Sequence, residues 1–376
     1  MKILELIDDA DIGGGQRHVL LLADGLRRHG IDVSVACAPQ GYLVDELRRK
    51  TIPVLAVSLA NSFRPGQLLK LIRLLRDGGY DILHTHGGTA GLWGRLAAII
   101  AGVPVSIHTY HGFHSAYRKN PLARWILTSI ERILLLATSH IICVSQGDYE
   151  LGKRLRLLKP KKSTVILNGI EVERFSSASG RERIRAEFGC THSHVLVGTV
   201  GRLHVQKGLV YLLEAASVAL KRNHSVKFVL VGDGPLKKVL REKAERLGIE
   251  DSVHFVGARQ DVPDLLAAFD LFVLPSLWEG LPLVLLEASA AGKAMIATAV
   301  DGTKEIIQDG VNGMLVPPEN PDALAEAILK AASDDAMRNT LGSKAREIAK
   351  ATYSIERMVE QTMNLYSQVS RTHVAS

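Results

Sequence analysis

Leu271-Phe272-Val273-Leu274-Pro275-Ser276, running on to Glu279-Gly280-Leu281-Pro282-Leu283-Val284-Leu285-Leu286-Glu287, is the stretch that decides the fold. The first six residues are an apolar run closed by a turn signal and read as a buried strand, and Pro282 opens a helix at its first position. A buried strand feeding a helix is the repeating unit of a parallel α/β sheet. Free N–H groups at such a helix start, here from Gly280 and Leu281, attract an anion such as phosphate, and the helix dipole adds to the pull. Glu279 then sits at the mouth of the site and Glu287 more than a turn deeper, so the two carboxylates reach different parts of one elongated ligand. A carboxylate beside a phosphate is repulsive unless it accepts from neutral hydroxyls, which points to sugar and ribose and hence to a sugar nucleotide. The same spacing also describes two solvated glutamates at a helix end, where acidic residues are common.

Outward from this unit the pattern repeats in both directions. Apolar runs at 2–7, 33–36, 82–84, 105–108 and 141–144 read as strands, separated by helical patterns such as 18–28 and 66–76. A second series follows at 195–200, 227–231, 253–256, 271–274, 294–297 and 314–316. Strands alternating with helices predict two Rossmann-like parallel-sheet domains. Asn168-Gly169, followed by the small polar stretch Ser176-Ser177-Ala178-Ser179-Gly180, offers the best boundary. In open sheets of this kind ligands bind at the carboxyl ends of the strands, so a central cleft is the expected site.

A second cluster supports an anionic ligand. The buried run 195–200 leads into Gly201-Arg202-Leu203-His204-Val205-Gln206-Lys207-Gly208, with cations flanking the loop. A guanidinium grips phosphate oxygens bidentately and a nearby ammonium adds a point charge, which suits a diphosphate whose charge grows as it leaves. The competing reading is a basic surface turn.

Together these segments resemble the C-terminal half of retaining glycosyltransferases of family 4, which have the GT-B fold. The resemblance rests on Val200-Gly201-Arg202-Leu203 with Lys207-Gly208, Phe228-Val229-Leu230-Val231-Gly232-Asp233-Gly234-Pro235, Val256-Gly257 with Asp261-Val262-Pro263, Leu274-Pro275-Ser276 with Glu279-Gly280-Leu281-Pro282 and Glu287-Ala288, and Gly310-Val311-Asn312-Gly313. It implies that Arg202 and Lys207 hold the donor diphosphate, that Glu279 contacts the transferred sugar and that Glu287 contacts the ribose. It also implies an acceptor-side domain at 1–170, a nucleotide-sugar-binding domain at 171–354, and a final helix at about 355–376 crossing back to the first domain. Ser289 stands where the family often has Met, and Asp301-Gly302 where Gly-Gly is usual.

In the N-terminal half, Asp11-Ile12-Gly13-Gly14-Gly15-Gln16 is a Gly-rich turn into a helix that allows close backbone approach to a ligand. It resembles the family's first loop, which makes Gly14 and Gly15 donor-site candidates. Asp9-Ala10-Asp11 has the spacing of a metal-binding D-x-D and is read as coincidence, because the two cations neutralise the leaving group without a metal. Five histidines, His84, His86, His108, His111 and His114, lie near strand ends without Cys or carboxylate spacing of metal type. His108-Thr109-Tyr110-His111-Gly112 resembles the family's Thr-x-His-Gly turn, whose His faces the transferred sugar, so His111 joins Glu279, Arg202 and Lys207 as a catalytic candidate. A satisfied structural histidine is the alternative, and His84 and His86 are read as lining residues.

Composition sets the wider limits. The 376 residues, 47% hydrophobic and 23% charged, have room for two full cores. Three scattered cysteines fit reduced thiols in a cytoplasm, the acidic turn after the first strand argues against a signal peptide, and no run reaches the length of a membrane span. Residues 1–176 carry 23 Lys and Arg against 15 Asp and Glu, leaving 23 against 24 in the rest, so the whole net charge of +7 comes from the first half. Without zinc spacing, a recognition-helix pattern or an aromatic-basic RNA motif, nucleic acid is not the partner. Instead the cations interleave with apolar residues in Tyr117-Arg118-Lys119-Asn120-Pro121-Leu122-Ala123-Arg124-Trp125-Ile126-Leu127 and in Lys153-Arg154-Leu155-Arg156-Leu157-Leu158-Lys159-Pro160-Lys161-Lys162. Such segments suit an anionic membrane surface, or else a solvated face over a core. The expectation is a cytoplasmic enzyme, peripheral at the inner membrane face, that needs no cofactor. It moves a sugar from a nucleotide diphosphate sugar to a glycan or lipid-linked acceptor in cell-surface polysaccharide or lipopolysaccharide synthesis. A small soluble acceptor and a nucleotide-sugar epimerase of the same fold are the alternatives.

Overall fold

The computed structural model describes residues 1–59, 65–113 and 120–374. By its contacts the chain divides into unit 1, Met1–Gly169 with Ile355–Ser376, and unit 2, Ile170–Ser354. Unit 1 is built on β1 (Lys2–Ile7), β2 (Asp32–Cys37), β3 (Val54–Ala56), β4 (Ile82–His86), β5 (Val105–Tyr110), β6 (His140–Cys143) and β7 (Ser163–Val165), ordered β3-β2-β1-β4-β5-β6-β7. Unit 2 holds β8 (Val195–Val200), β9 (Val226–Val231), β10 (Val253–Gly257), β11 (Leu271–Leu274), β12 (Ala294–Thr298) and β13 (Met314–Val316), ordered β10-β9-β8-β11-β12-β13. Every strand pairing in both sheets is parallel, and each unit is a Rossmann-like α/β layer.

Parallel sheets are buried on both faces, and the strand sequences show why these ones are. In β1, Ile3 and Ile7 face a core shared with the helices Gly14–Arg28 and Ile355–Val374, through Val19, Leu22, Met358 and Tyr366. Leu4 and Leu6 face the other way, onto the helices Pro65–Gly78 and Gly88–Ala101 through Leu71, Leu75, Ala90 and Ala97. The strand order reverses between β1 and β4 in unit 1 and between β8 and β11 in unit 2. At such a reversal the following loops diverge and leave a crevice at the carboxyl ends. β3 and β7 are the two strands that the apolar pattern does not announce. Each has three residues and lies at a sheet edge, too short to show a period.

The two basic segments fold differently. The helix Pro121–Leu134 starts at Asn120, whose side chain accepts from the N–H groups of Leu122 and Ala123, with Pro121 in the first turn. Its Glu131 accepts from Arg95 at 2.7 Å and from the Tyr110 hydroxyl at 2.6 Å, tying one side of the helix to the core. Leu122, Trp125, Ile126 and Ile133, with Leu136 just beyond, remain exposed. In the 153–162 segment, by contrast, Leu157 and Leu158 are buried in a small core while the cations reach solvent. Tyr117, Arg118, Lys119 and His114 lie outside the described residues.

Candidate active site

In unit 2 the reversal point gathers the predicted donor residues. β8 and β11 are neighbours, with Leu271 opposite Val197 and Phe272 opposite Gly198, so the loops that follow them emerge side by side. The loop after β8 carries Arg202 and the 3₁₀ turn Val205–Lys207, and the loop after β11 carries Ser276 and Glu279. The Lys207 ammonium donates to Glu279 Oε1 at 2.5 Å, and the Ser276 hydroxyl donates to the same oxygen at 2.6 Å. Gln206 donates to Glu279 Oε2 at 3.3 Å and to the Trp278 carbonyl at 3.0 Å, while the Leu277 N–H donates back to the Gln206 carbonyl at 2.7 Å. Glu279 and Glu287 are both buried. Arg202 is exposed, and its guanidinium takes no partner among the described residues.

Two glycines make this approach of loops possible. Gly208 has φ 59°, and a Cβ there would lie 2.0 Å from the Pro275 carbonyl oxygen. A Cβ on Gly302 would lie 1.7 Å from the Gly280 carbonyl oxygen. The Asp301 departure is accommodated because its half-exposed side chain points to Lys304 at 3.8 Å, while Gly302 keeps the close contact. One expectation is corrected. The helix runs Leu283–Ala290, so Pro282 is its N-cap with an extended ψ of 110°, and Gly280 and Leu281 belong to the loop before it. Proline's fixed φ serves either position, which is why the sequence does not separate them. Glu287 lies on this helix.

In unit 1 the corresponding reversal point holds a cluster of ionisable groups. Glu5 on β1 is opposite His84 on β4, and Ile7 is opposite His86. The Glu5 carboxylate has no solvent exposure and accepts from His86 Nε2 at 2.7 Å and from the Tyr366 hydroxyl at 2.9 Å, with His84 Nδ1 at 3.2 Å. Burial alone would raise its pKa, but charge and hydrogen bonds from His84 and His86 hold it far below the usual carboxylate range. His86 Nδ1 lies 3.1 Å from His111 Nε2. His111 follows β5, is partly exposed, and stacks edge-on against His18, whose Nδ1 is 2.9 Å from Asn168 Oδ1. Burial, reinforced by the neighbouring imidazoles, lowers the pKa of His18 to about 3, of His86 to about 4, and of His111 well below 6.5.

Gly14 and Gly15 open the helix Gly14–Arg28, whose N-cap Gly13 contributes no side-chain bond. A Cβ on Gly15 would sit 3.9 Å from the His111 ring, which places this helix start beside His111. Asp9 accepts from the Gln16 amide and from the Asp11 N–H, so it braces the loop. One nitrogen each from His18, His86 and His111 lie within 4.8 Å of one another, as do ligand atoms of Glu5, His84 and His86, distances that a metal ion could span. Existing hydrogen bonds already engage Glu5, His84, His86 and the inward nitrogen of His111.

Comparison with known proteins fits this arrangement. Residues 12–174 match the family described as Glycosyltransferase Family 4, and residues 180–348 that described as Glycosyl transferases group 1. Over 364 residues, 94% of each chain, the sequence is 31% identical to the UDP-Gal:alpha-D-GlcNAc-diphosphoundecaprenol alpha-1,3-galactosyltransferase of Escherichia coli. The chain belongs to glycosyltransferase family 4. It is thus a retaining, nucleotide-sugar-dependent transferase of the GT-B fold. This family 4 enzyme is also similar to Anabaena HepE, crystallised with UDP and glucose and with UDP-glucose, at 25% identity and a TM-score of 0.86 over 98% of this chain and 100% of that one. A D-inositol 3-phosphate glycosyltransferase of Corynebacterium urealyticum is 27% identical over 400 residues, 96% of this chain and 92% of that one.

Within the family 4 enzyme the structure joins Lys207 to Glu279, places Arg202 on the same loop as Lys207, and sets His111 beside Gly15. It also shows residues that motif reading passes over, Gln206, which fastens the Glu279 loop, and Glu5 and Tyr366 behind His111, and it sets His86, read only as a lining residue, between Glu5 and His111. Glu5 does carry a signal, as a single carboxylate in the otherwise apolar Ile3-Leu4-Glu5-Leu6-Ile7, since an unpaired buried Glu is rare. Tyr366 carries none, because 361 positions separate it from Glu5.

Proposed function

We propose that this family 4 glycosyltransferase moves a hexose, with retention, from a UDP-sugar to a glycan carried on a lipid diphosphate, during synthesis of a cell-surface polysaccharide or lipopolysaccharide. The observation that carries the donor assignment is the Glu279 carboxylate, buried and held by Lys207, Ser276 and Gln206 beside an exposed Arg202. A carboxylate so fixed is preorganised to accept from sugar hydroxyls, and Arg202 with Lys207 supplies charge for the departing diphosphate. Glu287 is assigned to the ribose, Gly14 and Gly15 to the donor, and His111 to the transferred sugar. Donor binding draws Lys207 from Glu279 toward phosphate. Retention is achieved by same-side attack: the departing phosphate oxygen takes the acceptor proton, and the cations stabilise the charge left behind.

The choice of a lipid-linked acceptor rests on the helix Pro121–Leu134. Its exposed Leu122, Trp125, Ile126 and Ile133, flanked by the exposed Arg124 and Arg132, form an amphipathic face suited to the headgroup boundary of an anionic bilayer. No helix among the described residues is long and apolar enough to cross a membrane, so docking of this face at the cytoplasmic leaflet is the proposed mode of attachment. The E. coli relative's name specifies a diphosphoundecaprenol acceptor, in line with this reading.

The test is transfer from UDP-galactose, UDP-glucose and UDP-GlcNAc to a synthetic GlcNAc-diphospho-lipid and, in parallel, to inositol phosphate, with the anomeric configuration read by NMR. An α-linked lipid product is expected. Turnover confined to the soluble acceptor overturns the lipid assignment and favours the other reading. Flotation with phosphatidylglycerol vesicles should recover the wild type and lose a Leu122→Glu/Trp125→Glu variant; no binding by the wild type refutes docking.

A further inference from the structure

The Glu5, His86 and His111 side chains form a line from the middle of the unit 1 sheet to its partly exposed end. We propose that Glu5 and His86 are positioning residues that lock His111 in its Nε2–H tautomer, so that His111 Nδ1 is presented as a hydrogen-bond acceptor to a hydroxyl of the transferred sugar. The inference rests on the assignment of His111 to that sugar and adds to it the direction of the hydrogen bond.

Each proton along the line is fixed by the group beside it. Glu5 is ionised and therefore only accepts. His86 Nε2, 2.7 Å from it, must carry a proton. A neutral imidazole has one N–H, so His86 Nδ1 is left with its lone pair. That lone pair faces His111 Nε2 at 3.1 Å, and two lone pairs at this distance repel, so His111 Nε2 carries the proton and donates it inward. His111 is also neutral, because burial and the adjacent His18, His86, His108 and His84 oppose a second proton. Its only N–H is then spent on His86, and Nδ1, which takes no partner among the described residues, is a lone pair.

The remaining contacts hold the line in this state. Tyr366, from the helix Ile355–Val374, donates to Glu5 Oε1, and its oxygen accepts from His84 Nδ1–H at 2.5 Å. The Thr109 hydroxyl is 2.7 Å from His84 Nε2, which closes the network on the β5 side. Each acceptor on Glu5 is thus met by a donor, and the carboxylate has no reason to take a proton from His86. A buried carboxylate selecting the tautomer of a histidine at a reactive site is a general device, and the wrong tautomer removes the function even where the geometry is kept. The consequence here is chemical: His111 cannot serve as the acid that protonates the leaving phosphate. Its role is to orient a sugar hydroxyl, and leaving-group charge falls to Arg202 and Lys207.

Long-range ¹H–¹⁵N spectra of protein labelled at histidine distinguish the two tautomers directly, with His111→Gln used to assign the resonances. In the full-length wild type at neutral pH, the Nε2–H form of His111 is expected. In Glu5→Gln, whose amide can donate to His86 Nε2, the proton pattern along the line inverts, and kcat should fall on the order of 10–10²-fold, as for loss of a buried hydrogen bond of this kind. UDP-sugar stabilisation in a thermal-shift assay should survive in the variant, since the diphosphate and ribose contacts are assigned to Arg202, Lys207 and Glu287 of unit 2. An Nδ1–H tautomer in the wild type, which needs no variant to detect, overturns the proposal. So does a Glu5→Gln protein that keeps the wild-type tautomer, or one that changes tautomer at full turnover. The His111→Gln variant separates the two readings: if it turns over normally, the assignment of His111 to the sugar has failed, whereas a slow His111→Gln beside an unaffected Glu5→Gln defeats the relay alone.

Discussion

At the scale of single residues, the proposed donor site rests on the Glu279 carboxylate, held by Lys207, Ser276 and Gln206, and on the exposed Arg202. Arg202→Ala removes an exposed cation without touching the core, so kcat should drop roughly 10²–10³-fold, equivalent to about 2.7–4 kcal/mol of lost stabilisation, with an unchanged urea midpoint. Unaltered turnover would remove Arg202 from the reaction. Gly302→Ala tests the packing beneath Glu279. Its Cβ meets a backbone carbonyl that cannot rotate away, so a loss of about 1–3 kcal/mol in chemical denaturation is expected, together with weaker donor binding. In the sequence, Arg202, Lys207 and Glu279 stood out as charges in a strand-loop-helix context, and His111 through the resemblance of its turn to the family's Thr-x-His-Gly. Glu5 and Tyr366 did not, because their meaning lies in a pairing that only the sheet register and the returning C-terminal helix create.

At the scale of elements, the helix Ile355–Val374 belongs to unit 1 although unit 2 precedes it in the chain. It packs on the helix Gly14–Arg28, where a Cβ on Gly25 would lie 2.3 Å from Val359, and it delivers Met358, Val359 and Tyr366 to the unit 1 core. A chain ending at residue 354 therefore leaves that core uncovered. It should aggregate or expose apolar surface to a fluorescent dye, and a synthetic 355–376 peptide added in trans should restore solubility. A soluble, compact 1–354 chain with native circular dichroism would refute this. Gly25→Val should weaken the same contact by about 1–3 kcal/mol. Longer elements were readable from their apolar runs: β1, β8 and β11 fall where the runs do, while helix starts shift by a residue or more, as at Pro282. The edge strands β3 and β7 escaped because three residues show no alternation, and their state is settled by the neighbouring strand that pairs with them.

At the scale of the whole molecule, the buried histidines make the two units unequal toward acid. His18 and His86 are buried in unit 1, with pKa values lowered from 6.5 to about 3 and about 4. Below pH 6.5 the unfolded chain takes up protons at these rings while the folded chain does not, so stability falls as pH falls. At 1.36 kcal/mol per pH unit, each ring removes about 2 kcal/mol between pH 6.5 and 5, and His108 and His111 act in the same direction. Glu5 does not offset this. Its depressed pKa gives a stabilisation that is fully present above its unfolded value of 4.5 and is lost only at lower pH. In unit 2, burial lowers His254, but this ring is partly exposed, so that unit should change less. Trp93 reports on unit 1 and Trp278 on unit 2. Urea denaturation of the Trp125→Phe/Trp278→Phe and Trp93→Phe/Trp125→Phe proteins at pH 7 and pH 5 compares them. The Trp93 midpoint should fall sharply at pH 5 while the Trp278 midpoint holds; equal shifts at both probes would show that the histidine cluster does not set the acid limit of unit 1 alone.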